Sequence, residues 1–257
     1  MNFLNMDFMT LKVQEKQKVI YEIKELLNKM TKDYTFEQKI LAQALFMERY
    51  YHFLQRLLDT ISMPVPAVLK DIRNYLWRYL KKECSVEELE EFHRVSDSIL
   101  IYILVDDDDN LDRAAWEKYK EDWNNVLYFN LCLDEAASEW SYILEQIVTG
   151  DINWYELTDG ELTAIMGYYI DTFDLEPIYK KEDGCYEALE CDRYWAEIYD
   201  SQTFGNIISM LLEDLRVVKN IEEMSKKQIQ KIYTQYQDKK FFEEPQIEKI
   251  IKSLNEN

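Results

Sequence analysis

Apolar residues in this chain recur every three or four positions over long stretches, and little interrupts them. Ile40, Ala44, Met47, Tyr51, Leu54 and Leu58 lay one apolar stripe along a helix of about six turns. Leu69, Ile72, Leu76 and Leu80 resume the spacing after Pro64 and Pro66, whose fixed dihedrals mark a corner between two helices. Ser85 and Glu88 have capping-box spacing, and Leu89, Phe92, Val95, Ile99 and Ile103 follow as the next buried face. Val126, Phe129, Leu133, Ala136, Trp140, Ile143 and Ile147 make the longest regular stripe, closed by Thr149-Gly150 as a left-handed stop. The 257 residues hold only 5 glycines and 4 prolines, too few for Gly-rich phosphate loops or a sandwich of many tight turns. No segment alternates like a strand between hairpin turns. The expected fold class is all-α, a multi-helix bundle or an irregular stack of helical pairs.

Farther along, Thr158 with Glu161 opens a short helix through Met166 and Ile170. Glu176-Pro177 and the stretch from Lys181 to Gly184 break the pattern. One helix is expected over residues 186–218, with Trp195, Ile198, Leu211 and Leu215 inward. Ser225 caps a further helix bearing Ile229 and Ile232, and Pro245 stands near the start of a last one with Ile247, Ile250 and Leu254. The sharpest change in composition is the run Asp106-Asp107-Asp108-Asp109-Asn110. It reads as a loop within a single domain, 1–257, or as the joint between two helical halves, 1–105 and 111–257. No repeat keeps a fixed period, so a tetratricopeptide-like solenoid is not expected.

Charge narrows the function. Fifty Asp and Glu against 30 Lys and Arg leave −20 at pH 7, which repels phosphate backbones and argues against nucleic-acid binding. With 47 % apolar and 31 % charged residues the chain reads as globular rather than as a disordered acidic tail. The longest apolar run, Ser98 to Val105, falls far short of the roughly 18 residues a membrane span needs. The first residues lack a basic region followed by an apolar stretch, so no secretory signal is read there. Cys84, Cys132, Cys185 and Cys191 are scattered without a C-x-x-C pair, as expected of reduced thiols in a cytoplasmic protein.

Each motif with catalytic or metal-binding spacing has a plainer alternative. An EF-hand alignment starting at Asp106 places Asp108, Asn110 and Glu117 at ligand positions, but Leu111 stands where the loop needs glycine. The alternative is a solvated loop whose last acids favour the N-terminus of the next helix. Glu90-x-x-His93 has the spacing of a di-iron motif, yet the chain has two histidines and no second such pair. There is no G-x-S-x-G elbow, P-loop or H-E-x-x-H. Carboxylate pairs such as Glu156 with Asp159 are expected by chance among 50 acids. The expectation is therefore a non-enzymatic protein with no cofactor and no metal. Clusters of rings and acids, Trp154-Tyr155-Glu156 and Tyr168-Tyr169-Ile170-Asp171, suit a protein-binding surface instead, with Asp106, Asp107, Asp108 and Asp109 as steering charge.

Two stretches carry a family resemblance. Ala42-x-Ala44-x3-Glu48-Arg49-x-Tyr51-x-Phe53, followed by Leu69-x2-Ile72-x3-Leu76-Trp77-x2-Leu80, is similar to an alanine-rich helix ending in Glu-Arg and then a helix bearing tryptophan. Trp195-x-Glu197-x4-Gln202, leading into Ile208 and Leu211, resembles a later helix of the same kind. The chain in this respect resembles helical immunity proteins of bacterial polymorphic-toxin systems. It departs from them at Met47, where a cysteine is often found, and at His52 and Phe53, where a proline-containing turn is expected. The resemblance implies an antidote that binds one cognate basic toxin and blocks it sterically. The alternatives are a carboxylate-based metal-dependent enzyme in a helical bundle and an acidic helical adaptor. Glu48 and Arg49 have a plainer reading too, as a structural ion pair within the bundle.

Overall fold

The structure, a computed structural model, describes residues 7–60, 62–105, 111–126, 132–154 and 200–256. Among them the chain is helical throughout, with no strand. A single 3₁₀ turn (Phe8–Thr10) leads into α1 (Val13–Tyr21) and α2 (Ile23–Met30). Then come α3 (Phe36–Thr60), α4 (Ala67–Leu80), α5 (Val86–Val105), α6 (Arg113–Val126) and α7 (Cys132–Thr149). The last three described helices are α8 (Gln202–Lys219), α9 (Lys226–Tyr236) and α10 (Glu244–Glu256). No helix among the described residues is long and apolar enough to cross a membrane.

Helix α3 is the axis. Thr35 and Gln38 start it with a reciprocal capping box: the Gln38 N–H donates to Thr35 Oγ1 at 3.2 Å and the Thr35 N–H to Gln38 Oε1 at 2.9 Å. A single stripe was expected, but every residue from Ile40 to Tyr51 is buried. The reason is that α4, α7, α8, α9 and α10 all pack around this helix. A helix covered on all sides belongs to the centre of a bundle rather than to its surface. Aromatic rings fill several of the contacts: Phe46 lies 4.7 Å from Phe241, Phe53 4.9 Å from Phe242, and Tyr51 stacks on Trp140 at 5.5 Å. Helices on either side of residues 106–110 pack together, α5 and α4 against α7 and α3 against α8, and their buried side chains join one core.

Local stops and starts follow the expected chemistry where the sequence signals them. Ser85 and Glu88 exchange both capping bonds, at 3.0 and 3.2 Å. Ser225 accepts from the Gln228 N–H at 3.4 Å, and Gly150 ends α7 with φ +77°. One reading needs correction. The single helix expected over residues 186–218 is interrupted at Ser201, whose Oγ accepts the Phe204 N–H at 3.1 Å and opens α8 there. Of the stripe expected from Val126 to Ile147, Leu133, Ala136, Trp140, Ile143 and Ile147 lie on α7, while Phe129 lies outside the described residues.

Two other helix ends use a left-handed residue without glycine. Ser62 (φ 60°) follows α3 and Lys82 (φ 58°) follows α4. In each, paired bonds close the last turn: Met63 N–H to Leu58 O at 2.9 Å with Ser62 N–H to Asp59 O at 3.1 Å, and Glu83 N–H to Arg78 O with Lys82 N–H to Tyr79 O, both at 2.8 Å. A side chain in this region costs roughly 1–2 kcal/mol. Lys82→Gly is therefore expected to raise stability by about 0.5–1 kcal/mol after the extra entropy of an unfolded glycine, seen as a higher urea midpoint at unchanged slope.

Candidate functional site

Charges are rare in a protein interior unless they are paired. Here α3 carries two adjacent ones, Glu48 and Arg49, both buried. Adjacent residues on a helix point about 100° apart, so each reaches a different neighbouring helix. Glu48 faces α4. Its Oε2 accepts Arg73 Nε at 2.9 Å and Trp77 Nε1 at 2.9 Å, and its Oε1 accepts Arg73 Nη2. Gln237 Nε2 adds a bond to Oε1 at 3.1 Å, and His52 Nε2 lies 3.2 Å from the same oxygen. Arg49 faces α8 and grips Asp214 with two bonds, Nε to Oδ2 at 3.1 Å and Nη2 to Oδ1 at 2.8 Å. Its Nη2 also reaches Glu213 Oε2 at 3.0 Å, and the Tyr236 hydroxyl donates to Asp214 Oδ1.

Rings brace both guanidinium groups. Arg73 lies 4.2 Å from the Tyr51 ring centre and 5.4 Å from that of Tyr233, while Arg49 lies 5.2 Å from Tyr236. Burial pushes the Glu48 carboxyl up, but bonds from His52, Arg73 and Trp77 outweigh it and hold the group below the ordinary glutamate value. Burial works against the Arg49 charge, and Asp214 more than offsets it, so that arginine is held protonated more firmly than usual. Burial dominates at Asp214, whose carboxyl is raised despite its donors. Four hydrogen bonds from three side chains, Arg73, Trp77 and Gln237, occupy both oxygens of Glu48 and leave it no lone pair suited to abstracting a proton. Arginine does not deprotonate in a protein. The arrangement therefore orients helices rather than moving protons.

A depressed carboxyl ties stability to pH. The folded state gains from ionised Glu48 in full above the unfolded value of about 4.3, and the gain is lost as pH falls through the lower folded value. Glu48→Gln is expected to cost about 1.5–3 kcal/mol at pH 7, as for a lost charge-assisted hydrogen bond. The cost should shrink below pH 4, and urea midpoints of both proteins across pH 3–7 measure it.

A second buried polar pair ties α3 to α7. Gln43 and Gln146 exchange amide bonds at 3.1 and 2.9 Å, and the Asn153 N–H donates to Gln146 Oε1 at 3.0 Å. Asn153 Nδ2 also donates to the Tyr142 hydroxyl at 2.8 Å. These bonds pin the chain beyond α7 against the bundle and correct one expectation. Trp154, expected at a partner-binding surface, is 0 % exposed and belongs to the core. Its large apolar ring is better buried than left in water. Asp106, Asp107, Asp108, Asp109, Tyr155, Glu156, Tyr168, Tyr169 and Asp171 lie outside the described residues, as do Trp195 and Glu197 of the family resemblance.

Asp112 caps α6, its Oδ1 accepting the Ala114 and Ala115 N–H groups at 3.1 and 3.0 Å. Glu117, the last EF-hand position, pairs with Lys120 at 2.7 Å. Among the described residues no cluster of His, Cys, Asp and Glu could hold a metal ion. Arg73 and Asp214 were not read from the sequence, although a signal exists. Leu69, Arg73, Leu76 and Leu80 step by 4, 3, 4, as do Ile207, Leu211, Asp214 and Val218. A charge standing at a core position of an apolar stripe marks a buried partner.

The surplus charge is unevenly distributed along the chain. Residues 106–109 and 155–199 hold 16 of the 50 acids but only 3 of the 30 Lys and Arg. Searches against protein-family models, curated proteins and solved structures find nothing that matches this chain.

Proposed function

We propose that this chain is a binding protein of the immunity type, an antidote that captures one cationic protein toxin in the cytoplasm and blocks it sterically. One observation carries the reading: a net −13 is concentrated in residues 106–109 and 155–199, out of −20 in all. The buried charges of α3 are paired with Asp214 and Arg73 inside the bundle, so they do not compete for a partner. The concentrated acids remain as the source of long-range attraction. Steering of this kind raises association rates about 10–1000-fold at low salt, and the effect fades as ionic strength rises. Tyr155, Tyr168 and Tyr169, interleaved with Glu156 and Asp171, supply ring area of the kind that slows dissociation.

The test is co-expression with the product of the neighbouring gene, which the proposal expects to be a basic toxin that arrests growth when expressed alone. The expected result is restored growth and a stable complex whose association rate falls with added salt. Persistent growth arrest with no complex on co-purification overturns the proposal. Reversal of Asp106, Asp107, Asp108 and Asp109 to lysine is expected to slow association at low ionic strength by tenfold or more. The thermal midpoint should hardly change, and stopped-flow mixing and a melting curve read the two effects separately. An unchanged association rate removes the steering role from these four acids.

A further inference from the structure

Helix α9 covers the charged layer of α3 with little apolar grip. Only Ile229, Ile232 and Tyr236 are buried on it, while Lys226, Lys227, Gln230, Lys231, Thr234 and Gln235 face water. An isolated helix of 11 residues is marginal in water, so packing must hold it. Its attachments to the layer include the Tyr236 hydroxyl on Asp214, Gln237 on Glu48, the Tyr233 ring beside Arg73 and 4.7 Å from Trp77, and, just beyond the helix, Lys239 on Glu213 at 3.2 Å. The ends of the segment are held differently. Ile221 is buried before it, its carbonyl accepting Gln38 Nε2 at 3.3 Å. Phe241 and Phe242 are buried after it, against Phe46 and Phe53. Between these anchors, Glu222, Glu223 and Asp238 are exposed.

We infer that residues 222–240 form a strap, hinged at Ile221 and Phe241, that opens as a unit while the rest of the bundle stays folded. Two physical points favour such an opening. The ion pairs beneath do not depend on α9: Arg73 with Glu48 joins α4 to α3, and Arg49 with Asp214 joins α3 to α8. Opening also lets water reach groups whose burial carries a desolvation penalty, so part of the lost contact energy is returned as hydration. Beneath an ordinary apolar helix no such return exists. Working against the opening are an exposed ion pair, Lys226 with Glu83 at 2.9 Å, and Lys81 over the Tyr233 ring at 4.1 Å, both of which water can replace at small cost. The open state exposes the Glu48–Arg73 and Arg49–Asp214 pairs together to solvent and to any polar ligand small enough to enter.

Hydrogen exchange of the full-length protein under native conditions, read by mass spectrometry, tests this. Amides of residues 229–237 are expected to exchange at least 100-fold faster than those of 45–54 and 207–215, with a much weaker dependence on added urea. Exchange of α9 at the same rate and urea dependence as α3 overturns the inference, because only global unfolding then exposes it. Ile232→Ala is expected to speed α9 exchange by more than tenfold and leave residues 45–54 unchanged. Loss of protection in both segments in step also overturns it. Should that variant fail to fold, Gln237→Ala serves the same comparison, since it removes a single bond at the rim of the strap.

Discussion

Asp214→Ala is expected to cost about 3–5 kcal/mol of folding stability, which is a large part of the roughly 5–15 kcal/mol that holds a protein of this kind together. Asp214 is 0 % exposed and holds Arg49 through two bonds. Removing it leaves a guanidinium that cannot shed its charge in a site with little water. Glu213 compensates only in part, because it reaches one nitrogen of Arg49 and is itself shared with Lys239 at 3.2 Å. The Tyr236 hydroxyl loses its acceptor in the same step. Removing both charges should hurt less than removing one. Arg49→Met combined with Asp214→Leu is expected to recover more than half of the loss, since apolar side chains of similar volume avoid the desolvation cost altogether. Urea denaturation of the wild type, both single variants and the double variant completes the cycle. A double variant as unstable as the sum of the singles shows that the pair has no special coupling.

Trp154→Ala should be of comparable size, about 3–5 kcal/mol, through the cavity left by a fully buried indole. The substitution also separates two roles for this residue. A surface anchor, once truncated, weakens partner binding while the melting temperature stays where it was. A core residue lowers the melting temperature, and binding follows only through the unfolded fraction. The burial predicts the second pattern. The supporting bonds from Asn153 to Gln146 and Tyr142 lie outside the indole, so they survive the change and confine the effect to lost packing. Melting curves with binding measured well below the transition distinguish the two.

Several features of the fold were legible locally. Pro64 and Pro66 mark the turn between α3 and α4, and Ser85 with Glu88, Ser225 and Gly150 act where their residue types suggest. Each of these depends on a few neighbours along the chain. Others lacked a local signal. Ser62 and Lys82 adopt the left-handed stop without being glycine, because the closing bonds and the path of the next helix impose it. The capping box of Thr35 and Gln38 has a local signal as well, a threonine three residues ahead of a glutamine. Trp154 has the polar sequence neighbours Tyr155 and Glu156 of a surface segment, yet it is fully buried, directly after an Asn153 that is bonded to Gln146 of α7.

Helical periodicity, scarce glycine and proline, and a surplus of carboxylates were enough to determine an all-α body and the sign of its charge. These properties add up from short-range preferences and from counting. Which helix lies at the centre, and what the charges at Glu48 and Arg49 do there, was decided only by tertiary packing. Glu48 meets Arg73 across 25 positions of sequence and Arg49 meets Asp214 across 165. A carboxylate on a helix looks the same in a sequence whether water or a guanidinium surrounds it. Only the meeting of α3 with α4 and α8 removes the water, and that removal turns two ordinary charged residues into the orienting centre of the bundle.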